Sequence, residues 1–433
     1  MSNKRELTIK ELAPLKWIPT LYMAEGIPYF IVVTLSVIMY KRFGLTNGEI
    51  ALYTSWLYLP WVIKPFWSPF VDILKTKRWW ILTMQLLIGA GLAGIAFSIE
   101  QPFMVQMSLA FFWLMAFSSA THDVAADGFF ILALPDPKQQ ALYVGIRSTS
   151  YRIAMIIAQG ALTALAGALE AYTRSIKTSW TITFLVIAGF FIGVWLYHSF
   201  VLPRPQSDKA ESVHARDILG RFLQTFESFF SKPGIIPAIA FLLLYRFAEA
   251  LLVKVTPMYL IDKVSVGGLG LSLSELAYVM GTIGVIGLIA GGILGSIATA
   301  ADGLKKWYWP MVLAITLPNI VYVYLSYFIP DNMLVINACI FVEQFGYGFG
   351  FTAYMLFMLY FSRGESATSH YAICTAFMAL SMMLPGMVAG YLQELLGYRH
   401  FFILVMVLCL FTFIAAKIVK FDFDEVETKQ QDE

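Results

Sequence analysis

The sequence predicts an all-α membrane protein, with twelve transmembrane helices in two six-helix bundles. Three observations lead to this prediction. Of the 433 residues, 59% are hydrophobic and only 13% are charged, whereas a soluble protein carries about 25% charged residues. Apolar runs of the roughly 20 residues that a helix needs to cross a bilayer recur along the whole chain. One long polar segment separates the first half of these runs from the second half.

The predicted spans are joined by short polar connections. Their predicted bounds are 14–40, 49–73, 79–99, 103–132, 140–169, 178–201, 234–261, 272–298, 307–329, 331–361, 367–393 and 398–419. The polar segment 203–233 would link an N-terminal bundle over 1–202 to a C-terminal bundle and short tail over 234–433. Apolar residues at helical spacing late in this segment predict a helix on the membrane surface. A solvated linker is the alternative.

Lysine and arginine predict the orientation of the chain. The connections on one side of the predicted spans, together with both termini, are much richer in these residues than the connections on the other side. Because the richer side of a membrane protein faces the cytoplasm, we expect both termini to be cytoplasmic.

The two halves of the chain contain a similar short sequence pattern at equivalent places. Asp72 lies at the end of the second span and Asp302 just after the eighth, and each precedes a basic cluster and a tryptophan, Trp79 or Trp307. Repeats at equivalent places in two sets of six helices are typical of the major facilitator superfamily. The repeat therefore favours that architecture.

Acidic side chains inside the predicted spans are the first candidates for a functional site. Asp123 and Asp127 lie four residues apart on the fourth span and so share one helix face. Glu25, Glu249 and Glu343 lie on the first, seventh and tenth spans. A charge at the bilayer centre costs about 3 kcal/mol or more, so such residues usually line a water-filled path or pair with a cation. We predict that these five acids take part in proton coupling.

Basic side chains inside the predicted spans are equally numerous. They are Lys64, Arg147, Arg152, Arg246 and Lys254. Each could simply neutralise an acid and hold two helices together, which is the alternative to a binding role. This alternative is strongest for Asp127 and Arg147, which are both predicted near the cytoplasmic ends of their helices.

Aromatic side chains suggest that the solute contains sugar rings. Tyr22 and Tyr29 share a helix face with Glu25, and Tyr347 shares one with Glu343. Flat aromatic rings beside acids and amides suit the apolar faces and hydroxyls of sugars, although packing and lipid contact are the alternative in a chain rich in aromatic residues. The predicted solute-binding set is Lys64, Arg152, Tyr22, Tyr29, His122, Gln159, Arg246 and Tyr347.

Several classes of function have no sequence signal. No phosphate-binding loop of the GxxxxGK[ST] type occurs, so we do not expect transport driven by ATP. Cys339, Cys374 and Cys409 form no CxxC pair and have no histidine at metal-ligand spacing. We therefore expect a monomer without cofactor or metal, with no enzyme activity and no nucleic-acid partner. Its expected partners are a small-molecule solute, protons and the lipid bilayer.

Four stretches of the chain resemble the AmpG muropeptide permeases and the related acetyl-CoA transporters. They are KPFWSPFVD at 64–72, AFSSATHDVAADGFF at 116–130, YRIAM at 151–155 and the long segment 366–402. The resemblance implies a proton-driven importer in the bacterial inner membrane, with anhydro-muropeptides as the solutes of the AmpG branch. It also implies that Asp123 and Asp127 are the acids of a fourth-span motif, in which AmpG proteins usually have glutamine in place of His122.

Other functions stay open at this point. A transporter of this fold could carry another oligosaccharide, a siderophore or an acyl-CoA. A drug exporter is a second alternative, although it would tend to have a larger apolar cavity and fewer buried bases. The third alternative belongs to another class and is a non-transporting membrane sensor, or an intramembrane acyltransferase with His122 as its base.

Overall fold

The computed structural model describes residues 13–209, 215–364 and 366–419. All regular secondary structure in these ranges is helical. Ten helical segments of the described chain are long and apolar enough to cross a membrane. Two further spans complete the predicted twelve. One consists of two shorter helices separated by a turn, and the other is present because one very long helix contains two spans.

The first six spans are helices of 22 to 31 residues, apart from the divided second span. Their bounds are Ala13–Arg42 for span 1, Asn47–Trp56 and Leu59–Leu74 for span 2, Lys77–Ser98 for span 3, Met104–Ala133 for span 4, Tyr143–Thr173 for span 5 and Ile176–Val201 for span 6.

The other six spans follow a helix over Ala215–Phe230, which lies within the segment predicted as the linker. Their bounds are Ile235–Ile261 for span 7, Leu273–Asp302 for span 8, Leu304–Phe328 for span 9, Met333–Ser362 for span 10, 367–396 for span 11 and 398–418 for span 12. Gly397 separates the last two spans because its φ of 70° is not helical.

The described helices form two compact units. The first, called unit 1 here, covers 13–32, 66–158 and 169–209. Its core joins the start of span 1 to the end of span 4. For example, the rings of Trp17 and Phe129 meet edge to face with centroids 5.4 Å apart. This packing places the start of span 1 beside the acidic stretch of span 4.

The second unit, called unit 2 here, covers 33–65, 159–168, 215–364 and 366–419. It contains the later part of span 1, the earlier part of span 2 and a short piece of span 5. Gly390 on span 11 touches the backbone carbonyl of Asn47, which only a residue without a side chain permits. Unit 2 therefore packs the connection between spans 1 and 2 directly against span 11.

Spans 1 and 5 pass from one unit to the other at π-helical turns. These turns are Ile31–Leu35 in span 1 and Ile156–Ala161 in span 5, and a third π turn, Val279–Gly284, lies in span 8. Single π turns inside α-helices are rare and often mark functional positions.

Candidate functional site

Three carboxylates meet in unit 1. An oxygen atom of Glu25, one of Asp123 and one of Asp127 all lie within 4.8 Å of one another. The two aspartates come together because residues four apart are neighbours on a helix surface, and span 1 supplies the glutamate. Glu25 is 7% exposed, while the two aspartates are partly exposed. These residues form one group, which is called the acid cluster below.

Arg147 balances one of the three charges. Its guanidinium forms an ion pair with Asp127, and its central carbon lies 4.5 Å from the centre of the Tyr22 ring. Tyr22 is fully buried, and its hydroxyl has no hydrogen-bond partner among the described residues. Carboxylates this close could share protons or bind a hard cation. The ion pair considered from the sequence is thus part of the acid cluster.

His122 belongs to a separate buried chain of polar side chains. Gln85 donates from Nε2 to His122 Nε2 at 3.0 Å and accepts at Oε1 from His198 Nδ1 at 3.1 Å. His198 Nε2 lies 2.9 Å from Thr20 Oγ1. This polar chain links spans 1, 3, 4 and 6, and Gln85, His122 and His198 are fully buried. Gln85 and His198 were not predicted as site residues. The only sign of them in the sequence is that each is a polar residue inside an apolar span.

Arg152 and Tyr29 are the other predicted solute-binding residues of unit 1. Arg152 is partly buried, and no hydrogen bond or ion pair of its guanidinium occurs within the described ranges. Tyr29 packs against Phe30 with ring centroids 5.2 Å apart. A partly buried guanidinium without a protein partner is suited to an external anion.

Unit 2 contains a second pair of acids. Glu343 is 1% exposed and accepts hydrogen bonds from Tyr322 Oη and Gln344 Nε2, both at 3.0 Å. Glu249 is 2% exposed, and neither of its carboxylate oxygens has a hydrogen-bond partner among the described residues. The Asn319 amide lies near Glu249 without hydrogen-bond geometry. Glu249 also interacts electrostatically with Glu343, so ionised forms of the two acids would repel each other.

Arg246 lies one turn before Glu249 and interacts with it electrostatically. Its guanidinium donates a hydrogen bond to the Tyr347 hydroxyl and lies 4.8 Å from the centre of the Phe351 ring. Arg246 and Tyr347, two residues of the predicted solute-binding set, are therefore in direct contact.

The structure divides the predicted site between the two units. Gln159 donates a 3.3 Å hydrogen bond to Thr34 in unit 2, and Lys64 is partly buried there. Unit 1 holds Glu25, Asp123, Asp127, Tyr22, Tyr29, His122 and Arg152, and unit 2 holds Glu249, Glu343, Lys64, Gln159, Arg246 and Tyr347.

A polar network that the sequence analysis missed ties together the helix ends in unit 2. Lys41 Nζ lies 2.8 Å from Asp262 Oδ1 and donates to Asn47 Oδ1 at 2.7 Å. Asn47 Nδ2 donates to Gln393 and, at 2.9 Å, to the hydroxyl of Tyr398. We call Lys41, Asn47, Asp262, Gln393 and Tyr398 the closing network, because they join the ends of spans 1 and 2 to spans 7, 11 and 12. They line a cavity of about 290 Å³.

The sequence pattern of the Major Facilitator Superfamily matches residues 20–374. The chain belongs to this superfamily. Two relatives extend the match at low identity. The AmpG 4 protein of Rickettsia conorii is 25% identical over 90% of this chain and 92% of its own length. The anhydromuropeptide permease of Escherichia coli is 22% identical over 79% of this chain and 67% of its own length. The resemblance to the AmpG group is therefore confirmed.

Solved structures of other members show the same fold. The nucleoside transporter NupG aligns with a TM-score of 0.67 at 15% identity, over 95% of this chain and 99% of that protein. A D-xylose-proton symporter aligns with a TM-score of 0.67 at 10% identity, over 95% and 100%. The predicted all-α fold of the Major Facilitator Superfamily is thus confirmed, and the protein is a multi-pass membrane transporter of that superfamily.

Proposed function

We propose that this Major Facilitator Superfamily protein imports a polar or anionic solute together with protons. The acid cluster of Glu25, Asp123 and Asp127 carries the proposal. Three carboxylates lie within 4.8 Å of one another, and one of them is paired with Arg147. Full ionisation would bring three like charges together beside the bilayer interior, where charge is costly. Uptake of a proton relieves this repulsion, because a like charge nearby favours the neutral form of a carboxylate.

The individual acids have different proposed roles in proton exchange. Ionising one carboxylate opposes ionisation of the next, so the three acids take up and release protons as one coupled group. In the proposed cycle Asp123 and Glu25 exchange the coupling proton, while Asp127 is held by Arg147. Glu249 and Glu343 form a second coupled pair in unit 2 and would respond to protonation in the same way.

The proposed solute is an anhydro-muropeptide or a related amino-sugar saccharide. Two observations support this class. The relative in Escherichia coli is an anhydromuropeptide permease, and such solutes carry carboxylates that match the guanidinium of Arg152, which has no hydrogen-bond or ion-pair partner among the described residues. Lys64 and Arg246 would add positive charge to the binding site. Tyr22, Tyr29 and Tyr347 would contact the sugar rings, and His122 and Gln159 complete the proposed set.

The proposed setting is the bacterial inner membrane, with both termini in the cytoplasm and the protein acting as a monomer. The halves 1–202 and 234–433 would be the two moving bundles, and the segment 203–233 would join them on the cytoplasmic surface. Alternate opening of a central site to the two sides is the general mode of secondary transporters built from repeats.

Uptake into proteoliposomes tests the proposal. The solute is labelled N-acetylglucosaminyl-anhydro-N-acetylmuramic acid, and uptake is measured with and without an inward proton gradient. We expect accumulation that depends on the gradient. If no uptake occurs while the protein is folded, the proposed solute is wrong and other saccharides and acyl-CoA become the next candidates.

Charge-removing variants test the proton roles. Asp123→Asn and Glu249→Gln should each abolish accumulation driven by the gradient. Glu100→Gln is the matched control, because it removes an exposed carboxylate at the end of span 3 and should leave accumulation unchanged. If both Asp123→Asn and Glu249→Gln retain full accumulation, the proposed proton roles are wrong.

A further inference from the structure

We propose that Lys254 binds the acidic group of the transported solute. In this structure its ammonium is held by a hydroxyl on span 2, and we infer that the solute's carboxylate replaces that partner during transport. This inference rests on the proposed transport of an anionic solute. It adds a residue on span 7 that lies outside the predicted solute-binding set.

Among the described residues, the surroundings of Lys254 lack a negative charge. The residue is 4% exposed, and its Nζ donates a 3.0 Å hydrogen bond to Thr54 Oγ1. The same nitrogen lies 5.4 Å from the centre of the Tyr58 ring. In the described part of the chain no carboxylate lies within ion-pair distance of this ammonium. An ammonium has three donors, so Lys254 uses one of them on a neutral hydroxyl.

Such an arrangement is costly if it serves packing alone. Transfer of an ammonium into the protein interior costs several kcal/mol, and good ion-pair geometry is needed to offset that penalty. The other charged groups of span 7 interact with each other, since Arg246 and Glu249 are electrostatic neighbours. Lys254 therefore differs from the remaining charges of its helix in having no anionic partner in the described chain.

A second buried hydrogen-bond donor, the hydroxyl of Ser55, lies beside Lys254. The hydroxyl of Ser55 is fully buried and has no hydrogen-bond partner in the described ranges. Both groups border Gly386 on span 11. A Cβ atom at Gly386 would stand 2.6 Å from Ser55 Oγ and 3.4 Å from Lys254 Cε. The absent side chain thus leaves an ammonium and a hydroxyl side by side, and one carboxylate could accept hydrogen bonds from both.

One residue of the closing network, Asn47, lies on the same helix as Thr54, towards the start of that helix. Asn47 precedes Thr54 by seven residues in the same helix, a rise of about 10 Å. The closing network therefore lies between Thr54 and the connection that joins spans 1 and 2. Once that network opens, Lys254 loses Thr54 and becomes available to a solute arriving from that end.

The experiment compares an acidic solute with its neutral analogue. Exchange without a proton gradient is measured for labelled N-acetylglucosaminyl-anhydro-N-acetylmuramic acid and for the same disaccharide with its carboxylate converted to a carboxamide. We expect Lys254→Gln to raise the KM for the acid about 10-fold, as the loss of a charged hydrogen bond predicts. The KM for the carboxamide should stay within about 2-fold of the wild-type value, and Lys254→Arg should restore part of the affinity for the acid.

Two further variants sharpen the comparison. Lys263→Gln removes an exposed positive charge from the connection after span 7 and should change neither KM. Thr54→Val removes the present partner of Lys254 while keeping the ammonium, so it should lower the KM for the acid. Equal changes for acid and carboxamide in Lys254→Gln would overturn the proposal. Normal exchange with loss of gradient-driven accumulation would also overturn it, because it would make Lys254 a proton carrier.

A binding measurement separates this inference from the proposed function. Thermal stabilisation of purified protein by inorganic phosphate needs no recognition of a saccharide. If the disaccharide is not exchanged by wild type, the proposed solute has failed, and the phosphate titration then decides the role of Lys254. Stabilisation of wild type and Lys263→Gln but not of Lys254→Gln supports an anion site. Identical behaviour of all three proteins contradicts it.

Discussion

Lys41 and Asp262 form a 2.8 Å ion pair that ties the end of span 1 to the end of span 7. Each side chain is only 16% exposed, so solvent screens the pair less than it would on an open surface. Asn47 and Tyr398 bind the same two charges and extend the contact to spans 2 and 12. The ion pair therefore joins the ends of four spans, and we expect it to hold one end of the proposed solute path closed.

Removal of this ion pair should favour opening at that end. Asp262→Asn keeps the shape of the side chain and removes its charge. Because a partly exposed pair contributes about 1 kcal/mol, we expect about a 5-fold increase in the open population. A cysteine at Ala51, which is fully buried, would be labelled by a thiol reagent about 5-fold faster in this variant.

The background and the control for this measurement come from the same chain. Labelling is carried out in a variant whose native residues Cys339, Cys374 and Cys409 are replaced. Asp302→Asn breaks the more exposed ion pair with Lys306, whose atoms are 2.9 Å apart, and should not change the labelling rate. Equal rates in Asp262→Asn and the unmodified background would show that the ion pair does not hold this end closed.

Local spacing predicted part of the site, and tertiary packing supplied the rest. Asp123 and Asp127 could be joined from the sequence because four residues make about one helical turn. The approach of Glu25 to them could not, since it depends on how span 1 packs against span 4. The closing network was missed for the same reason. Lys41 and Asp262 lie just beyond the ends of predicted spans, where charged residues are common, so neither residue gives a sequence signal by itself.

The turns inside the spans show a second limit of sequence reasoning. Gly397 marks the boundary between the last two spans, and hydropathy placed that boundary correctly because polar residues surround it. The π turns at 31–35 and 156–161 have no comparable signal. They are apolar segments in which the hydrogen-bond pattern changes without a change in hydropathy, so only the backbone of the folded protein reveals them.

Gln85 should be more important for stability than either histidine that it contacts. Gln85→Leu would leave both His122 and His198 buried without this partner. Each buried group that loses its hydrogen bond costs about 1–3 kcal/mol, so we expect the free energy of unfolding to fall by about 3 kcal/mol. His122→Gln keeps a side chain able to bind Gln85 and should cost less than about 1 kcal/mol. Unfolding in detergent measures both effects.

A surface glutamine provides the control for this pair of variants. Gln106 lies exposed on span 4, and Gln106→Leu should change the free energy of unfolding by less than about 0.5 kcal/mol. The assignment of His122 to a structural chain would be wrong if His122→Gln left unfolding unchanged but abolished solute exchange. That result would support the proposed place of His122 in the solute-binding set.

Spans 5 and 8 touch through two glycines, and this contact should not tolerate a methyl group. Gly281 lies in the π turn Val279–Gly284, and a Cβ atom there would collide with the Cα of Gly160, which lies in the π turn of span 5. Small residues allow membrane helices to approach this closely. Because both partners at the contact are backbone, Gly281→Ala forces the helices apart. We expect this variant to have a lower unfolding temperature and slower solute exchange.

Gly189→Ala is the matched control, and it should not lower the stability of the protein. Gly189 lies within span 6, and nothing stands within 4 Å of a Cβ atom placed there. Alanine is favoured over glycine in a helix by about 1 kcal/mol, so this variant should be as stable as wild type or slightly more stable. If Gly281→Ala behaves like Gly189→Ala in both unfolding and exchange, the two π turns do not need close contact. If Gly281→Ala instead lost solute exchange while its unfolding stayed unchanged, the close contact would be needed for transport and not for stability. Separating the helices would then hinder their movement without weakening the fold.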